Sequence, residues 1–260
     1  MQFEALKIEI DGPLGILTLN RPDRLNALGK TILKELAEAA RWFDEQMAVR
    51  VVIIRGEGRA FCAGADLKDP AIVPHEDWIM RREMAHYGLR MADAIEGMRA
   101  VTIAQVHGYA VGGGIVLMAA CDIRVVADDT VLFIPEVELG IPLAWGGIPR
   151  LVREIGPALT KELVMTCRRF TPTEAKAAGF VNRVVSAQEV VTEARSLAES
   201  LLEMPSVPLI ITKEHVNSVA RAMSAGSTSF SDGDALLSTM GDPGSQEARQ
   251  RYVQKAIGKK

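Results

Sequence analysis

Two short segments rich in glycine and alanine are the first candidates for chemistry in this sequence. Residues 58–68 follow an apolar run at 51–54, and residues 107–114 follow another at 101–106 and open a helical pattern. Small residues let backbone amides approach a ligand closely, and the first N–H groups of a helix lack internal partners and carry positive partial charge. Two such amides directed at one oxygen would form an oxyanion hole. Alternatively, the glycines only permit tight packing of a helix on a sheet.

Several other reaction chemistries lack the residues they need. The first serine is Ser186 and no Gly-x-Ser-x-Gly sequence occurs, which argues against an α/β-hydrolase. There is no P-loop sequence, and Gly108 with residues 112–114 does not have the spacing of a dinucleotide-binding turn. The 3 cysteines include no Cys-x-x-Cys pair and the 4 histidines lie far apart, so we expect no metal site.

The composition is that of an ordinary globular protein. The 260 residues carry 30 Lys and Arg against 33 Asp and Glu, and 48% are hydrophobic. A slight excess of acidic residues disfavours non-specific binding to nucleic acid. Residues 108–121 form the longest uncharged apolar run, which is shorter than the ~20 residues of a membrane span. The charged N-terminus does not resemble a signal peptide, so we expect a cytoplasmic protein with no nucleic-acid or membrane partner.

Alternating strands and helices must position the two segments. Apolar runs predict strands at 14–19, 51–54, 101–106 and 123–126. Helical periodicity falls between them, at about 26–47, 77–99 and 113–120. This alternation predicts an α/β fold with helices packed on a largely parallel sheet.

The last part of the chain has a different pattern. It is helical at 188–203, 206–223 and 245–257, with interruptions at Met204-Pro205 and in a Gly/Ser/Asp-rich stretch at 226–234. Such a tail either caps the sheet or forms an arm for oligomerisation, and the pattern leaves both open.

Several segments match, in order, the motifs of one known family. They are Asn20-Arg21-Pro22 with Asn26-Ala27-Leu28, residues 61–66, residues 107–114 with Cys121-Asp122, residues 135–140, and Thr171-Pro172 with residues 175–181. On these residues the sequence resembles the crotonase superfamily, the enoyl-CoA hydratases and isomerases. The resemblance implies a crotonase-like fold of repeated ββα units. It places an α/β core with the CoA site at 1–190, and a helical region for capping and oligomerisation at 191–260.

The resemblance also implies the roles of individual residues. The amides of Ala65 and Gly113 would bind the thioester oxygen as it becomes an enolate. The positions that contact CoA in the family are Arg24, Leu25, Ala63 (through its backbone, at the adenine) and Lys68 (at a phosphate). Lys68 taken alone is equally consistent with a solvated surface lysine. No cofactor is expected apart from the CoA moiety of the substrate, and the family is typically a trimer or a dimer of trimers.

We expect a single carboxylate to act as both acid and base. The hydratases that this chain resembles carry two glutamates, at the positions of Val116 and Glu136. Valine cannot donate, accept or hold a water molecule, whereas moving a double bond needs only one base. We therefore expect Glu136 to transfer a proton between Cγ and Cα of an enoyl-CoA, while the amides of Ala65 and Gly113 hold the dienolate. An apolar wall would raise its pKa toward neutrality.

Two other functions remain open at this point. A lone Glu136 could still hydrate an enoyl-CoA by acting as base and then as acid, and a protein with Val116 could bind acyl-CoA with little turnover. Trp145 replaces a small residue near the acyl pocket of similar hydratases, so it either reshapes or shortens the pocket or is an ordinary packing residue. Weaker candidates are Glu138 as a partner of Glu136, His75 and His86 in the acyl tunnel, and Asp66, which more often caps or forms ion pairs.

Overall fold

A six-stranded sheet forms the centre of the computed structural model, which describes residues 3–68, 77–223 and 229–257. The strands are β1 (Leu6–Asp11), β2 (Leu14–Leu19), β3 (Val51–Gly56), β4 (Val101–Val106), β5 (Tyr109–Val111), β6 (Ile123–Ala127), β7 (Val131–Phe133) and β8 (Arg183–Val185). The order in the main sheet is β1-β2-β3-β4-β6-β8, and all neighbours are parallel except the antiparallel pair β1 and β2. Strands β5 and β7 pair in parallel in a second, small sheet.

Helices connect the strands and form the last third of the chain. They are α1 (Lys30–Glu45), α2 (Trp78–Ala85), α3 (Tyr87–Glu96), α4 (Gly113–Ala120), α5 (Gly147–Thr166), α6 (Pro172–Ala177), α7 (Val190–Leu202), α8 (Ser206–Met223), α9 (Asp232–Met240) and α10 (Pro243–Ile257), with short 3-10 helices at Pro22–Arg24 and Ser229–Ser231. The predicted α/β fold is confirmed, and β2, β4, α4 and α8 have the bounds expected from the sequence.

Several elements were not predicted from the sequence, among them β5, β7, β8, α6 and α9. Three further differences have identifiable reasons. The helix expected at 77–99 is two helices, because the chain ends α2 and starts α3 at His86. Helix α5 was not predicted, since Gly156, with φ 74°, and Pro157 interrupt its periodicity. Strand β1 was also missed because it is an edge strand with one buried residue in six, so it has no apolar run.

The sheet is covered on both faces, which explains its continuous apolar strands. Successive side chains of a strand point to opposite faces: Val52 and Ile54 of β3 pack with α1, α3 and α4, whereas Val51 and Ile53 pack with α7. Helix α4 is buried on all sides, so its N-terminus is fixed in the centre of the protein.

The C-terminal helices differ in how they attach to this core. Helix α7 packs on the sheet through Val190, Ala194 and Leu197. Helix α8 has no buried residue, and Leu209 packs only in part against the core. Polar contacts also hold it: Lys213 Nζ lies 2.7 Å from Asp122 Oδ2 and donates to the carbonyl of Ala100 at 2.8 Å. The boundary at residue 190 and the role in oligomerisation stay predictions. Within the described ranges, no helix combines the length and apolar character needed to cross a membrane.

The buried contact of Lys213 gives a test of how α8 is held. Replacing Lys213 with methionine leaves the carboxylate of Asp122 without its cation, and we expect the free energy of unfolding to fall by about 3 kcal/mol. Lys7→Met is the matched control: its ion pair with Glu57 is 51% and 45% exposed, so its loss should cost less than about 1 kcal/mol. Equal effects of the two substitutions in denaturant titrations would contradict the assignment.

Candidate active site

The first loop presents the amide of Ala65 through a short bridge to the segment before α1. Leu28 N–H donates to Gly64 O at 2.7 Å, and Asp66 N–H donates to Leu28 O at 3.1 Å. The bonds flank Ala65, whose own N–H has no acceptor among the described residues. Because Ala65 is exposed, this amide is available to a ligand.

The side chain of Asn26 holds the first loop in place through hydrogen bonds. The side chain is fully buried, and its Nδ2 donates to Ala60 O at 2.8 Å and to Glu57 O at 3.0 Å. Its Oδ1 accepts the N–H of Arg21 at 2.9 Å. One amide group thus links the first matched motif to the loop that carries Ala65, which explains why these segments occur together.

The second loop presents the amide of Gly113 at the start of α4. Gly112, with φ 50° and ψ −112°, turns the chain from β5 into the helix, a conformation that favours glycine. As the first residue of α4, Gly113 has an N–H without an intrahelical acceptor, and no other acceptor is found for it in the described part of the chain.

Backbone hydrogen bonds join the two loops, so the segments that carry their free amides lie side by side. Cys62 N–H donates to Tyr109 O at 2.9 Å and Val111 N–H donates to Cys62 O at 3.0 Å. A Cβ on Gly64, where φ is +86°, would lie 2.6 Å from Val111 O and 3.5 Å from Gly113 N. Only glycine permits this approach, so the structure brings the loops of Ala65 and Gly113 together as the sequence predicts.

The carboxyl of Glu136 lies directly against the second loop. A Cβ on Gly112 would overlap Oε1 of Glu136 and would lie 3.2 Å from Oε2. The side chain is 8% exposed, and Oε2 is buried with no hydrogen-bond partner in the described residues. Burial raises the pKa of Glu136 to about 7, although its own backbone amide opposes the shift. A carboxyl in this state exchanges a proton readily near neutral pH.

An apolar surface occupies the other side of Gly113. Val116 is fully buried on α4, three residues after Gly113 and therefore on the same face of the helix. The ring of Trp145 lies against the same face: a Cβ on Gly113 would overlap its Cζ3. Both residues predicted for the substrate pocket are thus next to the amide that would bind the thioester.

The residues expected to bind CoA lie around the first loop. Leu25 O accepts the N–H of Ala63 at 2.9 Å, which joins these two positions. Arg24 Nη1 lies 3.6 Å from Oδ1 of the buried Asp66, and the N–H of Lys68 donates to the same oxygen at 3.0 Å. Asp66 therefore organises this surface, and the side chain of Lys68 is exposed.

The remaining candidates do not join this site. Glu138 is 43% exposed and forms an ion pair with Lys255 of α10 at 2.9 Å, so it is engaged with the C-terminal helix. The ring of His86 contacts Arg82 O at 2.7 Å and Phe230 O at 3.1 Å, which ties α2 to the segment before α9. His75 lies outside the described residues. No group of three or more His, Cys, Asp or Glu side chains in the described ranges could hold a metal ion.

Sequence analysis missed the contacts that the C-terminal helices make with the site. Asp232, the first residue of α9, accepts the N–H of Gly146 at 2.7 Å. Tyr252 of α10 is partly buried, and burial together with the charges of Glu138 and Glu136 raises its pKa. The only sequence signal was an aspartate in the Gly/Ser/Asp-rich stretch, which also suits a loop or a helix N-terminus.

The chain is similar to known proteins of one family. A family model described as enoyl-CoA hydratase/isomerase matches residues 9–258. A protein of Mycobacterium bovis named "probable enoyl-CoA hydratase" is 38% identical over 217 residues, which cover 84% of this chain and 82% of that protein. The crotonyl-CoA hydratase of Syntrophomonas wolfei is 34% identical over 88% of this chain and 90% of that protein.

A solved structure supports the fold. The enoyl-CoA hydratase/isomerase from Mycobacterium paratuberculosis superposes with a TM-score of 0.88 at 27% identity, over 96% of this chain and 100% of that chain. The crotonase-like fold expected from the sequence motifs is therefore confirmed.

The buried Glu136 predicts a specific dependence of stability on pH. Its pKa of about 7 compares with about 4.3 in an unfolded chain, so between these values only the unfolded chain loses the proton. The free energy of unfolding should therefore decrease as pH rises through this window and then level off. Glu136→Gln removes the effect and should be more stable than the wild type by about 3 kcal/mol at pH 8, but by only about 1 kcal/mol at pH 5.

Glu138→Gln is the control, because it changes an exposed carboxyl two residues away. It should give no comparable gain at pH 8 in urea titrations. A stability difference for Glu136→Gln that is the same at both pH values would show that the carboxyl is not buried in its neutral form.

Proposed function

Because the chain belongs to the enoyl-CoA hydratase/isomerase family, we propose that it is an enzyme that moves the double bond of an enoyl-CoA thioester with Glu136 as its single acid/base. The observation that carries this proposal is the position of the Glu136 carboxyl against Gly112, beside the free amide of Gly113. Similar hydratases carry a second carboxylate on the other side of Gly113, but this chain has the buried Val116 at that position. One base beside one oxyanion hole suits a proton shuttle.

The steps follow from the two amides and the carboxyl. Glu136 in its ionised form removes a proton from Cα of a 3-enoyl thioester, and the electron pair moves onto the thioester oxygen, which gives a dienolate that includes the C3–C4 double bond. The N–H groups of Ala65 and Gly113 donate to that oxygen and stabilise the dienolate, as preorganised donors do in acyl chemistry. Glu136, now protonated, returns the proton at Cγ, which moves the double bond to C2–C3, gives the 2-enoyl thioester and restores the carboxylate.

The electrostatic state of Glu136 suits both halves of this cycle. A group that first accepts and then donates the same proton works best with a pKa close to the working pH. Desolvation moves the pKa of Glu136 to about 7, and no cation in the described part of the chain opposes this shift. A carboxylate at its ordinary pKa would be a weaker base for a carbon acid.

Hydration is the second candidate, because similar proteins carry hydratase names. It needs a bound water and a proton delivered to Cα, and Glu136 would have to perform both tasks in turn. The third candidate, an acyl-CoA-binding protein with little turnover, would keep the two amides and the CoA surface but show no proton exchange that depends on Glu136.

The CoA moiety is proposed to lie on the surface organised by Asp66. Arg24 and Lys68 would approach its phosphates, Leu25 would contact the CoA moiety, and the backbone of Ala63 would contact the adenine. The carbonyl of Ala63 accepts no hydrogen bond from the described residues, so it is available to an amino group. No cofactor beyond this CoA moiety is proposed.

A homotrimer or a dimer of trimers is proposed as the assembly, in a cytoplasmic protein. Helix α8 supports an assembly because it exposes several apolar side chains: Val207, Ile211, Val216, Val219 and Met223. Exposed apolar surface of this kind is typical of contacts between protein chains.

Isotope exchange separates the three functions. Straight-chain 3-enoyl-CoA and 2-enoyl-CoA are incubated with the protein in D2O and analysed by mass spectrometry. We expect deuterium at Cα or Cγ without added water, and a rate about 10²–10⁴-fold lower in Glu136→Gln. Glu138→Gln, the neighbouring control, should stay within about twofold of the wild type, since its carboxyl is paired with Lys255.

The other outcomes each select a different function. A product heavier by one water from the main reaction would make the protein a hydratase. Binding without exchange would favour the acyl-CoA-binding protein, and full activity of Glu136→Gln would exclude Glu136 as the acid/base.

The CoA surface is tested by removing the nucleotide from the substrate. We expect Lys68→Ala and Arg24→Ala to raise KM for an enoyl-CoA about 3–10-fold, because each loses a charged contact to phosphate. With the N-acetylcysteamine thioester of the same acyl group, which has no phosphates, the variants and the wild type should have equal KM. An equal increase with both substrates would place these side chains elsewhere.

A further inference from the structure

The indole of Trp145 is seated between two glycines. A Cβ on Gly88 of α3 would overlap three atoms of its five-membered ring, and a Cβ on Gly113 would overlap Cζ3 and lie 3.1 Å from Cε3 and Cη2 of its six-membered ring. Gly88 lies within α3, so the helix does not need a glycine for its backbone conformation. The absence of a side chain at Gly88 instead makes room for the ring. Two helices that position the site thus meet through one aromatic side chain.

The turn that carries this indole is held in an uncommon conformation. Trp145 has φ 60° and Gly146 has φ 70°, and the left-handed region is unfavourable for a bulky residue by about 1–3 kcal/mol. Such a conformation persists only where the surroundings fix it.

Three polar contacts hold the turn, and one comes from the C-terminal region. Gly146 N–H donates to Oδ2 of Asp232 at 2.7 Å, and Gly146 O accepts from Arg150 at 3.2 Å. Gly147 N–H donates to Ala144 O at 3.0 Å. Asp232 is thus the single side chain outside the segment 144–150 that bonds the backbone of the turn in the described residues.

The turn and its indole form an apolar wall next to the reacting carbons. Besides the ring on Gly113, a Cβ on Gly147 would lie 2.9 Å from a methyl group of Val116. The wall therefore covers the face of α4 on which similar hydratases carry a carboxylate. Glu136 lies at Gly112, so the acid/base and the wall flank the same amide.

We propose that Trp145 is the specificity-determining residue that keeps water from the reacting carbons, and that Asp232 is a positioning residue that holds it there. The proposal rests on the proposed function, since it explains why a family site would transfer a proton without adding water. It assigns a role in the acyl site to the first residue of α9, a helix of the C-terminal region.

The test is the ratio of kcat/KM for hydration of a 2-enoyl-CoA to kcat/KM for isomerisation of the 3-enoyl-CoA, measured within one variant. Loss of folded protein scales both rates equally, so the ratio is insensitive to a purely structural defect. We expect Trp145→Ala to raise the ratio about tenfold or more, and Trp145→Phe to raise it less. Gly88→Ala, which displaces the ring without changing residue 145, should also raise it.

Asp232 and Asp234 form a matched pair for the positioning role. Asp232→Ala should raise the ratio about fivefold, as for the loss of one buried hydrogen bond. Asp232→Asn keeps an acceptor for Gly146 N–H and should restore a ratio close to that of the wild type. Asp234→Ala, which removes only the exposed ion pair of Asp234 with Arg82, should leave the ratio unchanged.

The failures of the two proposals are distinguishable. If the wild type isomerises and Trp145→Ala keeps the same ratio, Trp145 does not exclude water from the reacting carbons, while the proposed function stands. If Asp232→Ala and Asp234→Ala behave alike, the positioning role of Asp232 is wrong. A wild type that mainly adds water, or that exchanges no proton, would overturn the proposed function and the wall with it.

Discussion

The site depends on the close approach of two loops that leave neighbouring strands of one parallel sheet. Backbone bonds between Cys62 and the strand Tyr109–Val111 set their spacing, and Gly64 allows the α-carbon of one loop to lie on the carbonyl of Val111. Because the carboxyl ends of parallel strands lie at one edge of a sheet, β3 and β4 deliver both loops to the same place. The pair of unpartnered amides is the consequence.

A second constraint is the removal of the Glu136 carboxyl from water. Glu136 is stabilised by few polar contacts, and its protonated form is favoured because Oε2 is buried without a partner. This arrangement costs stability when the carboxyl ionises, a common feature of groups that must gain and lose a proton at neutral pH. Packing around Gly112, more than any charged neighbour, sets the chemistry of this carboxyl.

The C-terminal helices contribute polar contacts that reach into the rest of the protein. Lys213 bonds Asp122 just before β6, Lys255 bonds Glu138 two residues after Glu136, and Asp232 bonds the turn of Trp145. These helices bury few side chains, so directional contacts determine where they lie. The C-terminal helices thereby contact the turn of Trp145, in addition to covering the sheet through α7.

The sequence by itself determined the α/β class, the strands β2, β3, β4 and β6, most helices and the two glycine-rich loops, because apolar periodicity and glycine-rich motifs are local signals. Glu136 was identified through the resemblance to a known family. The sequence did not reveal the edge strand β1, the kinked helix α5, or the contact of Asp232 with Gly146, which joins residues 86 positions apart. Nor did it place the ring of Trp145 between Gly88 and Gly113. Only the tertiary structure decided these points, since burial of a carboxyl and the seating of a ring between two helices arise from contacts between distant segments.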